Sequence, residues 1–273
     1  MTVEQDEQAF RALLEKISRD RGLCCGGYKD KCLRRRIAVR MRARGAHTFR
    51  DYSALLDGDQ HEYDALLDAL TINVTKFWRN ADTWKALAEP YLAARWAARQ
   101  GRLNVWSAGC ASGEEPYTIA VVLAEAARAA RQPDWLARAH IDATDIDRVS
   151  LERTRTAQYP ATAFDEMPPA LKTRYFTPMP PHEPLPAVRG IVSVIKHDML
   201  RERAPHAPYD VIVCRNVVIY FDRPTQERLF TLFTDALVPD GILVLGKVET
   251  LFGPARDRLK LEDPRERIYR RIA

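Results

Sequence analysis

A glycine-rich turn followed by two carboxylates is the strongest chemical signal in the sequence. It occupies residues 107–117 (Ser-Ala-Gly-Cys-Ala-Ser-Gly-Glu-Glu-Pro-Tyr), after a predicted strand and at the start of a predicted helix. Gly109 and Gly113 allow the backbone to approach a ligand closely, and the helix N-terminus offers free N–H groups. Because Glu114 and Glu115 would repel a pyrophosphate, the turn favours a ligand with a cationic ammonium group, such as S-adenosylmethionine, over a dinucleotide. The alternative is a structural strand-to-helix turn with capping carboxylates.

Polar side chains also follow three other predicted strands. Asp145 ends the second strand, where an open α/β sheet commonly places an acid that accepts ribose hydroxyls. Asp198 follows the third strand and could receive an adenine amino group; the alternative is a surface-loop acid. Asn216 and Tyr220 follow the fourth strand and offer an amide and a hydroxyl to a ligand. The alternative there is a strand end with a packed Tyr-Phe pair.

The segment Asn-Val-Thr-Lys-Phe-Trp-Arg at 73–79 joins two regions of different pattern. Junctions between domains commonly line ligand sites, so Asn73, Thr75 and Arg79 are candidates for binding. The alternative is a polar linker in which two aromatic side chains clamp the domains together.

A predicted helix at about 30–44 carries a large excess of positive charge. It has one acid, Asp30, and seven basic residues: Lys31, Arg34, Arg35, Arg36, Arg40, Arg42 and Arg44. Arg36, Arg40 and Arg44 share one face at i, i+4 spacing. The excess favours an acidic partner. Nucleic acid is not favoured, because the segment has no second reading helix and no exposed aromatic residues among the arginines.

Two hydrophobic patterns divide the chain. Helical spacing predicts four N-terminal helices with no strand between them, at about 5–19, 30–44, 48–56 and 63–70. Beyond about residue 103, β-branched runs alternate with helices at about 115–131, 147–157 and 224–237. The predicted strands are 103–108, 140–144, 191–195, 209–214 and 241–246, and Leu259–Leu261 with Arg267–Arg270 predict a final hairpin.

This alternation predicts an α/β fold with a doubly wound, mostly parallel sheet. The terminal antiparallel hairpin is typical of class I methyltransferases. Eight prolines crowd residues 160–190. They predict a connecting insertion with little regular structure beyond a short helix near 168–175.

Composition narrows the class of protein. Of the 273 residues, 46% are apolar and 29% are charged, which excludes a wholly disordered chain. No apolar run reaches the roughly 18 residues of a membrane span, and the acidic, polar N-terminus is not a secretory signal. Five cysteines without metal-ligand spacing predict free thiols in the cytoplasm and no metal site. The net charge of +5 fits nucleic acid, an acidic protein or a membrane surface.

Five motifs in this order resemble the chemotaxis receptor protein-glutamate O-methyltransferase (CheR) family. They are the segments at 73–79 and 109–117 quoted above, Ala-Thr-Asp-Ile-Asp at 143–147, Cys-Arg-Asn-Val-Val-Ile-Tyr-Phe at 214–221 and Leu-Val-Pro-Asp-Gly-Ile-Leu-Val-Leu-Gly at 237–246. The resemblance covers about 10–272. It implies a small all-α N-terminal domain at 1–72, a linker at 73–84 that contributes to the active site, and a Rossmann-like class I S-adenosylmethionine-dependent methyltransferase domain at 85–273.

The resemblance also implies roles for single residues. One of the two carboxylates Glu114 and Glu115, with Glu114 favoured, handles the methionine moiety of the cofactor. Asp145 takes the ribose and Asp198 lies by the adenine. Arg79 and Tyr220 are the implied catalytic residues, which hold and orient the reacting carboxylate. Arg36 and Arg42 are implied to face acidic receptor helices. The full implied cofactor set is Asn73, Thr75, Arg79, Gly109, Gly113, Glu114, Asp145, Asp198, Asn216 and Val217.

The implied activity is methylation of glutamate side chains on the cytoplasmic methylation helices of chemoreceptors. S-adenosylhomocysteine is the second product, and the enzyme is expected to be a cytoplasmic monomer that inserts into no membrane and binds neither metal nor nucleic acid. An ionised carboxylate needs no general base, so the protein would mainly supply alignment and exclude water.

Three departures from the family pattern stand out. Lys247 lies between Gly246 and Glu249, where many relatives have histidine and serine, and Trp78 replaces a usual phenylalanine. Residues 176–190 are short and proline-rich where some relatives build a small β-subdomain that docks a receptor C-terminal pentapeptide. We therefore predict that this protein does not depend on a pentapeptide tether.

Three other readings of the sequence stay open. The same fold could methylate a receptor of a non-chemotactic pathway, or it could form a non-catalytic module that binds S-adenosylmethionine or its product. Methylation of nucleic acid is disfavoured, because Arg-Asn-Val-Val follows the fourth strand in place of an Asn-Pro-Pro-Tyr type motif.

Overall fold

A computed structural model of the chain describes residues 2–71 and 74–272. The chain forms two compact units. One comprises Met1–Ile72 with Tyr220–Thr225, and the other comprises Asn73–Ile219 with Gln226–Ala273. We call them the helical unit and the sheet unit. No helix in the described ranges combines the length and the apolar composition needed to cross a bilayer.

The helical unit contains the four helices that the hydrophobic spacing predicts. They are α1 (Val3–Arg21), α2 (Asp30–Ala43), α3 (Phe49–Gly58) and α4 (Gln60–Thr71). Thr2 and Gln5 form a capping box at the start of α1, and Gly22 ends that helix with a φ of 74°. Thr48 caps α3, as predicted. The apolar stripe of α2 is buried, at Leu33, Ile37 and Met41.

A short segment that is distant in sequence completes the helical unit. The N–H of Lys29 donates to the carbonyl of Tyr220 at 2.9 Å, and the N–H of Asp222 donates to the carbonyl of Gly27 at 2.9 Å. Tyr28 and Phe221 form an antiparallel bridge, with ring centroids 4.7 Å apart. These contacts fix the backbone of Tyr220 within the helical unit.

The described strands of the sheet unit form one sheet. They are β1 (Leu103–Ala108), β2 (Ala139–Asp145), β3 (Val192–Lys196), β4 (Tyr209–Cys214), β5 (Leu237–Leu245), β6 (Leu259–Asp263) and β7 (Ile268–Arg271). Their order in the sheet is β3-β2-β1-β4-β5-β7-β6. Strands β1 to β5 run parallel, and β7 is antiparallel to both β5 and β6. The predicted doubly wound sheet with a terminal hairpin is confirmed. The strand order reverses between β1 and β4, which is where open α/β sheets bind ligands.

The helices around the sheet include two that the sequence analysis leaves unassigned. These are α5 (Ala81–Leu87) and α6 (Ala93–Ala98), joined by a π-helical turn at Ala88–Leu92. They bury Trp84 and Trp96. The other helices are α7 (Glu114–Ala129), α8 (Arg148–Thr156), α9 (Pro169–Tyr175), α10 (Pro186–Arg189) and α11 (Arg223–Ala236).

The proline-rich stretch at 160–190 is fully described and contributes no strand to the sheet. Besides α9 and α10, it holds a single 3₁₀ turn at Ala161–Phe164 and two isolated bridges. The rings of Phe164 and Phe77 stack with centroids 4.4 Å apart, so the insertion packs on the segment that carries Arg79.

Candidate active site

The glycine-rich turn lies at the switch point of the sheet, between β1 and α7. Gly109 and Gly113 have left-handed backbone, with φ of 81° and 99°. A Cβ at position 109 would lie 2.7 Å from Val217 Cγ2, and one at position 113 would lie 2.5 Å from the hydroxyl oxygen of Tyr159. Glycine is therefore required at both positions. Its small size brings the loop after β1 into contact with the loop after β4.

Two carboxylates begin α7, that of Glu114 buried and that of Glu115 partly buried. The Ser112 hydroxyl donates to Glu114 at 2.7 Å, and the Ser107 hydroxyl donates to Glu115 at 2.9 Å. Arg215 Nη1 lies 3.8 Å from Glu115 Oε2. Burial raises the pKa of Glu114. Burial also raises the pKa of Glu115 to about 7, although the Arg215 charge acts to lower it. A cationic ligand would stabilise both ionised carboxylates.

We expect Glu115 to make the stability of the cofactor-free protein depend on pH. Its pKa is about 7 when folded and 4.5 when unfolded, so the folded state binds the proton more tightly. The resulting contribution to stability is complete below about pH 4.5 and is lost as the pH rises through about 7. Glu115→Gln, which mimics the protonated form, should match the wild type near pH 4.5 and exceed its unfolding free energy by up to ~3 kcal/mol near pH 8. Urea titrations at both pH values measure this difference; parallel pH dependence in the two proteins would contradict it.

Asp145 ends β2 beside the glycine-rich turn. One carboxylate oxygen accepts the N–H of Ala111 at 2.9 Å, and the other accepts the N–H of Asp147 at 3.0 Å. Burial raises the pKa of Asp145. Each oxygen keeps lone-pair capacity for another donor, such as a hydroxyl. Asp147 instead caps α8, accepting the N–H groups of Val149 and Ser150.

The Asp198 carboxylate contacts residues of its own turn, which lies two residues beyond β3. Its Oδ1 accepts the N–H of Leu200 at 2.9 Å, and its Oδ2 lies 3.6 Å from Arg201 Nε. The Asp198 side chain is only 12% exposed, and these contacts do not join it to the glycine-rich turn. Its place beside the adenine stays a prediction.

A single carboxylate holds the loop after β4. Glu249 is only 3% exposed. One oxygen accepts the N–H groups of Gly246 at 2.5 Å and Asn216 at 3.0 Å, and the other accepts those of Val217 at 2.9 Å and Ile219 at 3.3 Å. Glu249 therefore fixes the candidate residues Asn216 and Val217 to the end of β5. The sequence analysis names it only as part of a motif.

The segment 74–80 is anchored to α7. The N–H of Trp78 donates to the Thr118 hydroxyl at 3.1 Å, and that hydroxyl donates to the Glu114 carbonyl at 2.7 Å. Thr75 is half-buried in this segment. Asn73, the remaining candidate here, lies outside the described residues.

Arg79 and Arg215 bring two cations to the partly buried Glu115. Arg79 donates from Nη1 to the carbonyl of Val74 at 3.0 Å, and its charge lowers the pKa of Glu115. Arg215 donates to the Arg79 carbonyl at 3.0 Å and to Asn80 Oδ1 at 2.7 Å. The sequence analysis missed the role of Arg215; the available signal was its position directly before Asn216.

Lys247 is neutralised by its surroundings. Its ammonium lies 2.9 Å from Oε1 of Glu266, and the other carboxylate oxygen of Glu266 accepts the Thr83 hydroxyl at 2.5 Å. The departure from the family pattern at this position therefore adds no unpaired charge.

Arg36 and Tyr220 contact each other in the helical unit. Arg36 is 7% exposed, donates to the carbonyl of Leu70, and places its guanidinium carbon 4.6 Å from the Tyr220 ring centroid. Its guanidinium is therefore buried against the ring and the carbonyl, and its Nη2 has no hydrogen-bond partner among the described residues. Arg42 is exposed.

The donor set of the sheet unit fits a cationic ligand that carries hydroxyls. Glu114 and Glu115 supply negative charge, and Asp145 supplies acceptors at the adjacent strand end. The turn at 107–117 contains no lysine or arginine that could bind a pyrophosphate. This is the donor set expected for S-adenosylmethionine.

Comparison with known families covers both units. Residues 73–267 match the family model described as CheR methyltransferase, SAM binding domain. Residues 8–71 match the model described as CheR methyltransferase, all-alpha domain.

The curated relatives extend over most of the chain. A chemotaxis protein methyltransferase of Klebsiella aerogenes is 36% identical over 258 residues, which cover 91% of this chain and 85% of the relative. The protein of the same name from Salmonella typhimurium is 35% identical over 91% of this chain and 85% of its own length. That from Escherichia coli is 34% identical over 88% of this chain and 83% of its own length. The chain therefore belongs to the CheR methyltransferase family, and S-adenosylmethionine is its cofactor.

Proposed function

We propose that this protein methylates glutamate side chains on the cytoplasmic helices of chemoreceptors and thereby forms methyl esters. The observation that carries this proposal is its similarity, over about nine-tenths of the chain, to proteins named chemotaxis protein methyltransferases. We place the reaction in the cytoplasm, with a monomeric enzyme and S-adenosylhomocysteine as the second product.

The chemistry requires alignment more than proton transfer. When bound, S-adenosylmethionine supplies a methyl group on a cationic sulfur, which a carboxylate oxygen can take by in-line displacement. We assign its methionine moiety to Glu114 and its ribose to Asp145. Gly109, Gly113, Asn216 and Val217 shape the pocket, and Arg79 neutralises the incoming glutamate. That glutamate is already ionised near neutral pH, so no general base is needed.

The test is transfer of labelled methyl groups to a purified cytoplasmic receptor fragment. We expect label that base releases as methanol, and a fragment with the acceptor glutamates changed to alanine should take up none. Base-stable label would show another acceptor chemistry. No transfer despite cofactor binding by calorimetry would refute the receptor assignment for that fragment.

We propose that α2 of the helical unit binds the receptor through one exposed stripe. Two arginines of this helix and its C-cap residue Arg44 already pair inside the unit: Arg34 with Glu7, Arg40 with Glu62, and Arg44 with Asp59. The exposed stripe has a different composition, with helical spacing at Lys31, Arg35, Val39 and Arg42. A basic stripe with one apolar residue suits an acidic amphipathic helix.

Charge reversal on this stripe should weaken substrate binding. We expect the double variant Arg35→Glu, Arg42→Glu to lose about tenfold in kcat/KM for the receptor fragment, with a weaker salt dependence. The affinity for S-adenosylmethionine should not change. Arg50→Glu, an exposed charge reversal on α3, is the matched control. Equal losses in the two proteins would argue against the stripe.

We assign Arg36 a positioning role in place of direct receptor contact. It packs on the Tyr220 ring while Lys29 and Phe221 fix the backbone beside it. Tyr220 is then the residue that orients the substrate carboxylate, and Arg36 restrains the angle of its ring.

The absence of a strand in 160–190 supports the proposal of pentapeptide independence. A receptor C-terminal pentapeptide should show no saturable binding by calorimetry. Removal of the last five residues of a receptor should leave the methylation rate unchanged. Measurable affinity for the peptide would contradict this prediction.

A further inference from the structure

Three side chains with metal-ligand atoms converge on β2, away from the glycine-rich turn. His140 Nε2 lies 3.0 Å from Asp142 Oδ1, and His206 Nδ1 lies 2.9 Å from Asp142 Oδ2. The three ligand atoms lie within 4.8 Å of one another. Tetrahedral zinc, with bonds of about 2.0–2.2 Å, separates its ligand atoms by roughly 3.3 Å. Small movements of the two imidazoles would reach that geometry.

The topology of the sheet brings these residues together. His140 and Asp142 occupy alternate positions of β2 and so share one face. His206 comes from the loop before β4, 64 residues from Asp142 in sequence. The expectation that the chain has no metal site rests on short-range spacing, which cannot reveal ligands that are so far apart.

The carboxylate at the centre is buried and firmly held. Asp142 is fully buried, and the Tyr209 hydroxyl donates to its Oδ2 at 2.6 Å. The same Tyr209 oxygen accepts the N–H of His206 at 2.9 Å. One tyrosine therefore orients the carboxylate and the backbone of one imidazole, as outer partners of metal ligands commonly do.

The two imidazoles are open to solvent. The side chains of His140 and His206 are 42% and 63% exposed, and their ring centroids are 6.2 Å apart. An ion can enter from this side, and water can complete the coordination shell. Two imidazoles with one carboxylate form a donor set suited to zinc and neighbouring divalent transition metals.

We propose that His140, Asp142 and His206 bind one divalent transition-metal ion, with Zn²⁺ as the best-matched metal. The ion would join β2 to the loop that precedes β4. The site is separate from the proposed cofactor site, because Asp145 is an odd number of residues from Asp142 and therefore points to the opposite face of β2.

The test is calorimetric titration of ZnCl₂ into full-length, reduced protein from which metal has been stripped. We expect one equivalent to bind at this cluster. His140→Asn and His206→Asn keep a hydrogen-bond donor but remove the ligand, and each should weaken binding by at least about 100-fold. Tyr209→Phe should weaken it by about 10–100-fold. His47→Asn, at an exposed histidine of the helical unit, should bind like the wild type.

Free cysteines are a competing source of zinc binding, since Cys24 and Cys32 are partly exposed. A Cys24→Ser, Cys32→Ser variant should therefore still bind one equivalent of zinc. Co²⁺ bound to the wild type should show d–d absorption without thiolate charge-transfer bands. The proposal is wrong if the protein takes up no zinc, or if both histidine variants, shown to be folded by circular dichroism, bind zinc as the wild type does. Cofactor affinity should be the same with and without zinc.

Discussion

Replacement of Arg79 by alanine should lower the rate of methyl transfer about 10²–10³-fold, the range seen when one charge-stabilising donor is removed from an active site. Among the described residues, the hydrogen bond of the Arg79 side chain goes to a main-chain carbonyl, that of Val74, and its charge is not consumed by that bond. We expect a smaller change in affinity for S-adenosylmethionine, because Glu114 and Asp145 remain in place.

The fold should tolerate this substitution. The contacts that anchor position 79 use its backbone carbonyl, which accepts hydrogen bonds from Trp84 Nε1 and Arg215. Lys76→Ala is the matched control, since it removes a nearby cation whose partner, Asp165, is exposed. Single-turnover rates with the receptor fragment measure the catalytic role of Arg79, and calorimetry measures its role in cofactor binding. A wild-type rate in Arg79→Ala would remove Arg79 from the catalytic set.

Glu249→Gln should weaken S-adenosylmethionine binding by about 10–100-fold and lower the unfolding free energy by ~2–4 kcal/mol. Each carboxylate oxygen accepts two backbone N–H groups. An amide has one acceptor oxygen, and its NH₂ would face two of those donors. The loop that carries Asn216 and Val217 should therefore lose its fixed conformation.

Calorimetry at a temperature where the variant is fully folded measures cofactor affinity apart from stability. Glu152→Gln, at an exposed pair with Arg155, is the matched control and should change neither quantity. If Glu249→Gln loses stability but keeps wild-type cofactor affinity, the carboxylate supports the fold without shaping the pocket.

Short-range sequence patterns predicted most of the helices and strands. The apolar stripe of α2, the Thr48 cap and the strand at 103–108 depend on nearest neighbours in sequence, and all three are confirmed. The stretch at 81–98 was missed, because Pro90 interrupts its helical pattern and a π-helical turn absorbs the break.

The sequence by itself determined the family and the succession of strands, since each motif and each strand pattern depends on residues that are close together along the chain. Only the tertiary structure decided which arginines of α2 are exposed, because spacing defines a helix face but not what covers it. Arg36 lies under the ring of Tyr220, which is far away in the sequence, while Arg42 faces solvent. The four bonds of Glu249 and the convergence of His140, Asp142 and His206 likewise arise from strand neighbours and loops that meet only when the sheet has formed.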